Sequence, residues 1–246
     1  MMTRVDSMFH FLGVGEQDCA LGLRLASAAG ARSRGDAQAG EDDTMARLVR
    51  LNPEMTHVRD YEALAAALLH GRPALIFEIG TYLGITSDFF LQVLPDCRVV
   101  SIAYSNPILR VFGRKYNNSE LSRKEIGIGV DASRRSRFRQ LYGDSHGLDP
   151  ARLVREHGRF DVVLIDGDHS RDGVAQDTEL ARAILSDTGA ICWHDANPKP
   201  KYRDVRAYLE EMPRRAVATR DDYIGGIACW SREIERKLEG AGEALA

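Results

Sequence analysis

Two short segments place acids beside imidazoles: Ile165-Asp166-Gly167-Asp168-His169-Ser170 and Trp193-His194-Asp195. Each follows an apolar run of the kind that forms a buried strand, so Asp166 closes one strand and His194-Asp195 close another. Neighbouring parallel strands lie about 4.8 Å apart, which lets their ends converge on one site. Asp166, His194 and Asp195 then make a candidate metal-ligand set. Its oxygens suit Mg²⁺, while the imidazole brings Mn²⁺ or Fe²⁺ into range. A cation there would orient a hydroxyl group and favour its deprotonated form. His169 is the candidate general base, because an ordinary imidazole with a pKa near ~6.5 takes up a proton at neutral pH. Asp166 and Asp168 complete the candidate catalytic group. Each of these side chains also has a plain structural alternative, capping or bracing the loop it sits on.

A second feature is the loop Glu78-Ile79-Gly80-Thr81-Tyr82-Leu83-Gly84. Gly80 permits a sharp turn, and Gly84 removes a side chain where a ligand or helix must come close. The spacing E-x-G-x-x-x-G lacks the three-glycine pattern that holds a dinucleotide pyrophosphate, which counts against a nicotinamide enzyme. No phosphate-binding P-loop is present. Glu78, Gly80, Thr81 and Gly84 are the candidate cofactor contacts. Glu78 reads either as a structural carboxylate bound to loop amides or as the partner of the amino group of a cationic cofactor.

Positioning these groups requires alternating strands and helices. Strands are expected at 74–79, 98–103, 138–142, 161–165 and 189–193, and helices at 86–93, 174–185 and 204–212. Residues 215–219 and 223–230 flank Asp221-Asp222 and suggest a terminal β-hairpin. The pattern predicts an α/β fold, a Rossmann-like doubly wound and mainly parallel sheet with a C-terminal antiparallel hairpin. Before it, 28–43 reads as a loop or linker, with helices expected at 44–55 and 61–69.

The glycine loop, Gly143-Asp144-Ser145, the D-G-D-H-S segment at 166–170 and Trp193-His194-Asp195 together resemble class I S-adenosylmethionine-dependent methyltransferases. Closest in pattern is the bacterial branch with macrolide-sugar O-methyltransferases and cephalosporin-biosynthesis enzymes, over roughly 74–230. The resemblance implies S-adenosylmethionine as cofactor, with Glu78, Gly80 and Gly84 around its methionine and ribose portion and Asp144 and Ser145 near its adenine. Asp166 then serves both the cofactor and the chemistry. It further implies metal-assisted methyl transfer to a hydroxyl of a small metabolite, a sugar or natural product. One departure stands out: Ala103 occupies the end of the second strand, where the family places a ribose-binding acid, with Ser105 and Asn106 as the next polar groups. The chain divides into an N-terminal extension, 1–58, with flexible and helical parts and a candidate role as a lid, and a methyltransferase domain, 59–246. A metal-independent N-methyltransferase and a catalytically silent binding protein on the same fold remain as alternatives.

Bulk composition narrows the partners. The 246 residues carry a formal net charge of −3, with 44% hydrophobic and 28% charged residues. That is ordinary for a globular domain and gives no basic footprint for nucleic acid. No apolar run approaches the ~20 residues needed to span a bilayer. The expected partner is a small-molecule methyl acceptor in the cytoplasm, without membrane or nucleic acid; homo-oligomerisation stays open. The four cysteines are scattered and read as reduced core residues. Arg134, Arg135, Arg137 and Arg139 read as a solvated basic face rather than an anion site. Tyr82, Tyr104, Trp193 and Tyr223 are candidate pocket aromatics.

Overall fold

The computed structural model describes residues 72–104, 121–196, 202–212, 216–218 and 226–231. Strand β1 (Leu75–Ile79) is buried at every position, as a continuous apolar run covered on both faces must be. Parallel to it lie β2 (Arg98–Ala103), β3 (Phe138–Tyr142), β4 (Phe160–Ile165) and β5 (Leu185–Trp193). β7 (Ile227–Ser231) runs antiparallel to β5, and β6 (Ala216–Ala218) antiparallel to β7. The sheet has seven strands in the order β3-β2-β1-β4-β5-β7-β6. This is the Rossmann-like, mainly parallel sheet with a C-terminal antiparallel pair that the sequence pattern predicts. The chain moves outward from β1 through β2 to β3, then returns to the other side of β1. Ligands in such sheets bind beyond the carboxyl ends of the strands at that switch, here between β1 and β4.

Period-two alternation splits the apolar side chains into two layers. Phe77, Ile79, Val163, Ile165, Ile191 and Trp193 face one way, against Val174, Ala181 and Ile184 of α3 (Arg171–Ile184) and Val205 and Leu209 of α4 (Arg203–Glu211). Ile76, Val99, Val162, Leu164 and Cys192 face the other, against Phe89, Phe90 and Val93 of α1 (Ile85–Val93). Each fully buried Phe or Leu removes enough apolar area from water to contribute roughly 1.5–3 kcal/mol. Among the described residues no helix is long and apolar enough to cross a membrane.

Three local details differ from expectation. Helix α2 (Pro150–His157) was not expected, because only Leu153 of its eight residues is buried. Its punctuation is clear nonetheless: Asp149 caps it by accepting from Ala151 N, Pro150 starts it and Gly158 ends it. Strand β5 begins at Leu185 rather than Gly189, since its pairing with β4 shifts register between Phe160 and Val162. Helix α3 starts at Arg171 rather than Val174, because Ser170 caps it by accepting from Gly173 N. The expected helices at 44–55 and 61–69 and the linker at 28–43 lie outside the described residues, as does Cys19. Cys97, Cys192 and Cys229 are buried free thiols, in keeping with a core role.

Candidate active site

The parallel ladder continues past the strand ends and brings the expected segments to one rim. Asp166 N donates to Ile79 O at 2.8 Å, and His194 N to Ile165 O at 3.0 Å. Asp195 then turns with φ +57°, a left-handed conformation that Asp tolerates better than most residues. That turn carries its buried carboxylate back over the end of β4. His169 Nε2 lies 2.9 Å from Asp195 Oδ2 and 3.5 Å from Asp166 Oδ1. His194 Nδ1 lies 3.4 Å from Asp166 Oδ1 and 3.4 Å from Asp195 Oδ1. Two carboxylates and two imidazoles thus share one rim.

Electrostatics in this cluster follow from that crowding. Burial opposes charge on His169, but Asp166 and Asp195 outweigh it and raise the imidazole pKa to about 9. Burial likewise works against ionising Asp166 and Asp195, yet the two histidines hold both carboxyls below their ordinary range. Ligand atoms of Asp166, His169 and Asp195 all lie within 4.8 Å of one another. His169 Nε2 is buried without a well-aligned hydrogen bond. Two carboxylates with an imidazole nitrogen between them form a mixed oxygen and nitrogen donor set that fits a divalent cation. The sequence pairs His194 with the two acids; in the fold the group close enough to share one ion is Asp166, His169 and Asp195, with His194 Nδ1 3.4 Å from each acid. The His169 ring packs on Tyr202 in a T-shaped arrangement, centroids 5.5 Å apart, a contact that no local pattern in the sequence announces. Asp168 is turned elsewhere: its carboxylate accepts from Ser170 N and Ser170 Oγ, both at 2.9 Å, and braces the start of α3.

Across the switch from this cluster, Glu78 is 1% exposed. Its Oε2 accepts from Ser101 Oγ at 2.6 Å and from Ser87 Oγ. Thr81 Oγ1 is 2.6 Å from Ser101 Oγ and accepts from Gln140 Nε2 at 2.8 Å, so a hydroxyl network links β1, β2, β3 and α1. Burial pushes the Glu78 pKa up to about 7, against the pull of the two serines. Sequence reasoning found Glu78 and Thr81 but missed Ser87, Ser101 and Gln140, ordinary polar residues whose burial depends on strand order. The two glycines answer to the protein itself. A Cβ on Gly80 (φ +104°) would lie 1.9 Å from Asp166 O, and one on Gly84 (φ +82°) 2.8 Å from Gly127 Cα.

Ala103 is the buried last residue of β2, so no carboxylate stands at that strand end. Ser105 and Asn106 lie outside the described residues. Asp144 begins the 3-10 turn Ser145–Gly147 at the end of β3, its carboxylate accepting from His146 N at 3.0 Å. Tyr104 and Tyr82 stand near the rim, Tyr104 being 44% exposed. Trp193 is a core residue that donates to Thr178 Oγ1 at 2.9 Å, and Tyr223 is outside the described residues. The expected solvated basic face holds only in part: Arg135 and Arg139 are exposed, while Arg134 and Arg137 are half-buried, and Arg134, Arg135 and Arg137 are tied to the protein. Arg134 forks onto Asp88 through two 2.8 Å bonds. Arg135 donates to Val130 O and Gly127 O. Arg137 donates to Leu91 O, Leu94 O and Cys97 O at the end of α1.

A family model described as a methyltransferase domain matches residues 77–196, the span from β1 to the end of β5. No curated protein matches the chain. Among solved structures, the calicheamicin methyltransferase CalS11 superposes with a TM-score of 0.53 at 14% identity, over 84% of this chain and 91% of its own. An O-methyltransferase from Bacillus cereus in complex with SAH does so with a TM-score of 0.49 at 17% identity, over 82% and 96%. At such identities the likeness is one of fold.

Proposed function

We propose that this chain, which a methyltransferase-domain family model matches over residues 77–196, transfers the methyl group of S-adenosylmethionine to a hydroxyl of a small metabolite, a sugar or natural product, with a divalent cation at the rim. The observation that carries this reading is the convergence of Asp166, His169, His194 and Asp195 beside the Gly80 turn.

In this reading Asp166, His194 and Asp195 hold the cation, and Glu78, Gly80, Thr81, Gly84, Asp144 and Ser145 line the donor side. A cation bound there would supply Lewis-acid stabilisation of the acceptor oxygen. His169 carries a proton at neutral pH while it faces Asp166 and Asp195, so its Nε2 would take the hydroxyl proton only once a bound cation has drawn off the charge of those carboxylates, as the oxygen attacks the sulfonium methyl group. The new C–O bond forms as the C–S bond breaks, and the sulfur leaves as a neutral thioether. Most of the acceleration comes from holding two reactants in line. A second reading is favoured by the short distances around His169 Nε2: that nitrogen is itself a ligand, and a nitrogen whose lone pair binds a cation takes no proton.

Calorimetric titration with S-adenosylmethionine and with NAD, followed by transfer assays on hydroxyl and amine acceptors, tests the proposal. Binding of the first ligand alone and chelator-sensitive O-methylation are expected. Transfer that survives full metal removal sinks the cation clause, and methylation of amines only favours an N-methyltransferase. Ala103 motivates the rival idea of a silent binding protein, which any turnover refutes. Metal content of His169→Gln separates the two roles of that residue: metal kept with turnover lost means base, metal lost means ligand.

A further inference from the structure

Among the described residues, Asp88 and Asp177 are the buried acids outside the proposed chemistry; Asp88 is paired with Arg134, and Asp177 has no such arginine partner. It sits on the inner face of α3 among Val174, Thr178, Ala181 and Ile184, and is 1% exposed. Neither carboxylate oxygen has a well-formed hydrogen bond. A buried acid without full satisfaction costs stability, so an apolar residue or an amide would serve the helix better. What surrounds it gives the reason. Its Oδ1 lies 3.4 Å from His146 Nε2 in the turn after β3, and the other ring nitrogen of His146 lies 3.7 Å from Asp144 Oδ1. On its second side is the loop after β4: a Cβ on Gly167 would stand 3.3 Å from Asp177 Oδ2. Gly167 separates Asp166 from the rest of the D-G-D-H-S segment. Both loops border the crevice beyond the strand ends, and Asp177 is the side chain in contact with each.

We infer that Asp177 is a positioning residue that ties the Asp144–Gly147 turn to the loop at 166–170 and thereby sets the affinity for the S-adenosyl ligand. The inference rests on the function proposed above. An ionised Asp177 attracts His146 and the Ser145 side chain, both of which favour its charged form; a protonated one loses most of that pull. Burial pushes its carboxyl up to about 6, against Ser145 and His146, with Asp144 and Asp168 adding repulsion. The charged and titratable groups facing it are therefore His146 and Asp144 from the turn and Asp168 from the loop.

The test uses the full chain, S-adenosylhomocysteine as probe, and the variants Asp177→Asn, His146→Gln and the double. Binding to Asp177→Asn is expected to weaken about tenfold at pH 7.5, with the double variant no weaker than the poorer single, as coupled neighbours require. Affinity of the unmutated protein is expected to fall in two steps as pH drops, one with Glu78 near 7 and one with Asp177 near 6, and Asp177→Asn to lack the second. Wild-type affinity and an unchanged pH profile in Asp177→Asn overturn the inference, as does a loss that merely follows a lowered Tm. If Asp177→Asn does not fold, His146→Gln decides alone: unchanged affinity overturns the inference, and a tenfold loss at unchanged Tm upholds it. An unmutated protein that binds no S-adenosyl ligand overturns the functional reading, and this inference with it.

Discussion

Glu78 shows how a single buried carboxyl couples the candidate site to stability. Its folded pKa of about 7 exceeds the ordinary 4.5, so the native state holds a proton that the unfolded chain has already released between those values. Stability must then fall as pH rises through that window, by roughly 3 kcal/mol once both states are ionised. Urea unfolding of Glu78→Gln across pH 5 to 8 is expected to lack this slope, and a slope equal to that of the unmutated protein refutes it. The arginines give a second contrast between neighbours. Arg137 satisfies carbonyls at the end of α1, so Arg137→Ala is expected to cost about 1.5–3 kcal/mol, typical of hydrogen bonds from a charged donor. The exposed Arg139 should change stability by less than about 0.5 kcal/mol on the same substitution. Chemical denaturation of both variants makes the comparison. Equal losses remove the distinction.

Elements that positioned the site were legible where burial on both faces wrote itself into the chain. β1, β2 and β4 are short apolar runs ending in Glu78-Ile79, Ala103 and Ile165-Asp166, and their expected bounds hold to within one residue. Helix α2 was missed because a helix that buries Leu153 alone shows little apolar periodicity. The site divides the same way. Asp166, His194 and Asp195 follow strand ends and were visible there; Asp177 and Gln140 lie inside a helix and an outer strand, where polar residues usually mean solvent. Arg137 failed to read as structural because its carbonyl partners are some 40 residues earlier. The central strand itself is open to test. Phe77 is fully buried and its ring lies 5.1 Å from that of Phe160. Phe77→Ala should cost about 3–5 kcal/mol through lost transfer energy and the cavity left behind. A loss under ~1 kcal/mol in urea unfolding means the layers around β1 can collapse into the gap.

Over the whole molecule, binding must appear as stability, because a ligand held by the native state alone raises the unfolding free energy by mass action. At a concentration of 100 times Kd that gain is about 2.7 kcal/mol. For a chain of this length it corresponds to a rise in Tm of roughly 5–10 °C. S-adenosylhomocysteine is therefore expected to shift the melting curve on that scale, and NAD to leave it in place. Mn²⁺ should shift it independently, because the carboxylates of Asp166 and Asp195 repel each other until a cation or a charged histidine stands between them. Replacing Asp195 by Asn removes half of that demand, so its Mn²⁺ shift should shrink while its S-adenosylhomocysteine shift survives. Loss of both shifts in Asp195→Asn would mean that metal and donor sites are one structural unit. A full Mn²⁺ shift in that variant would place the cation somewhere other than the rim of β4 and β5.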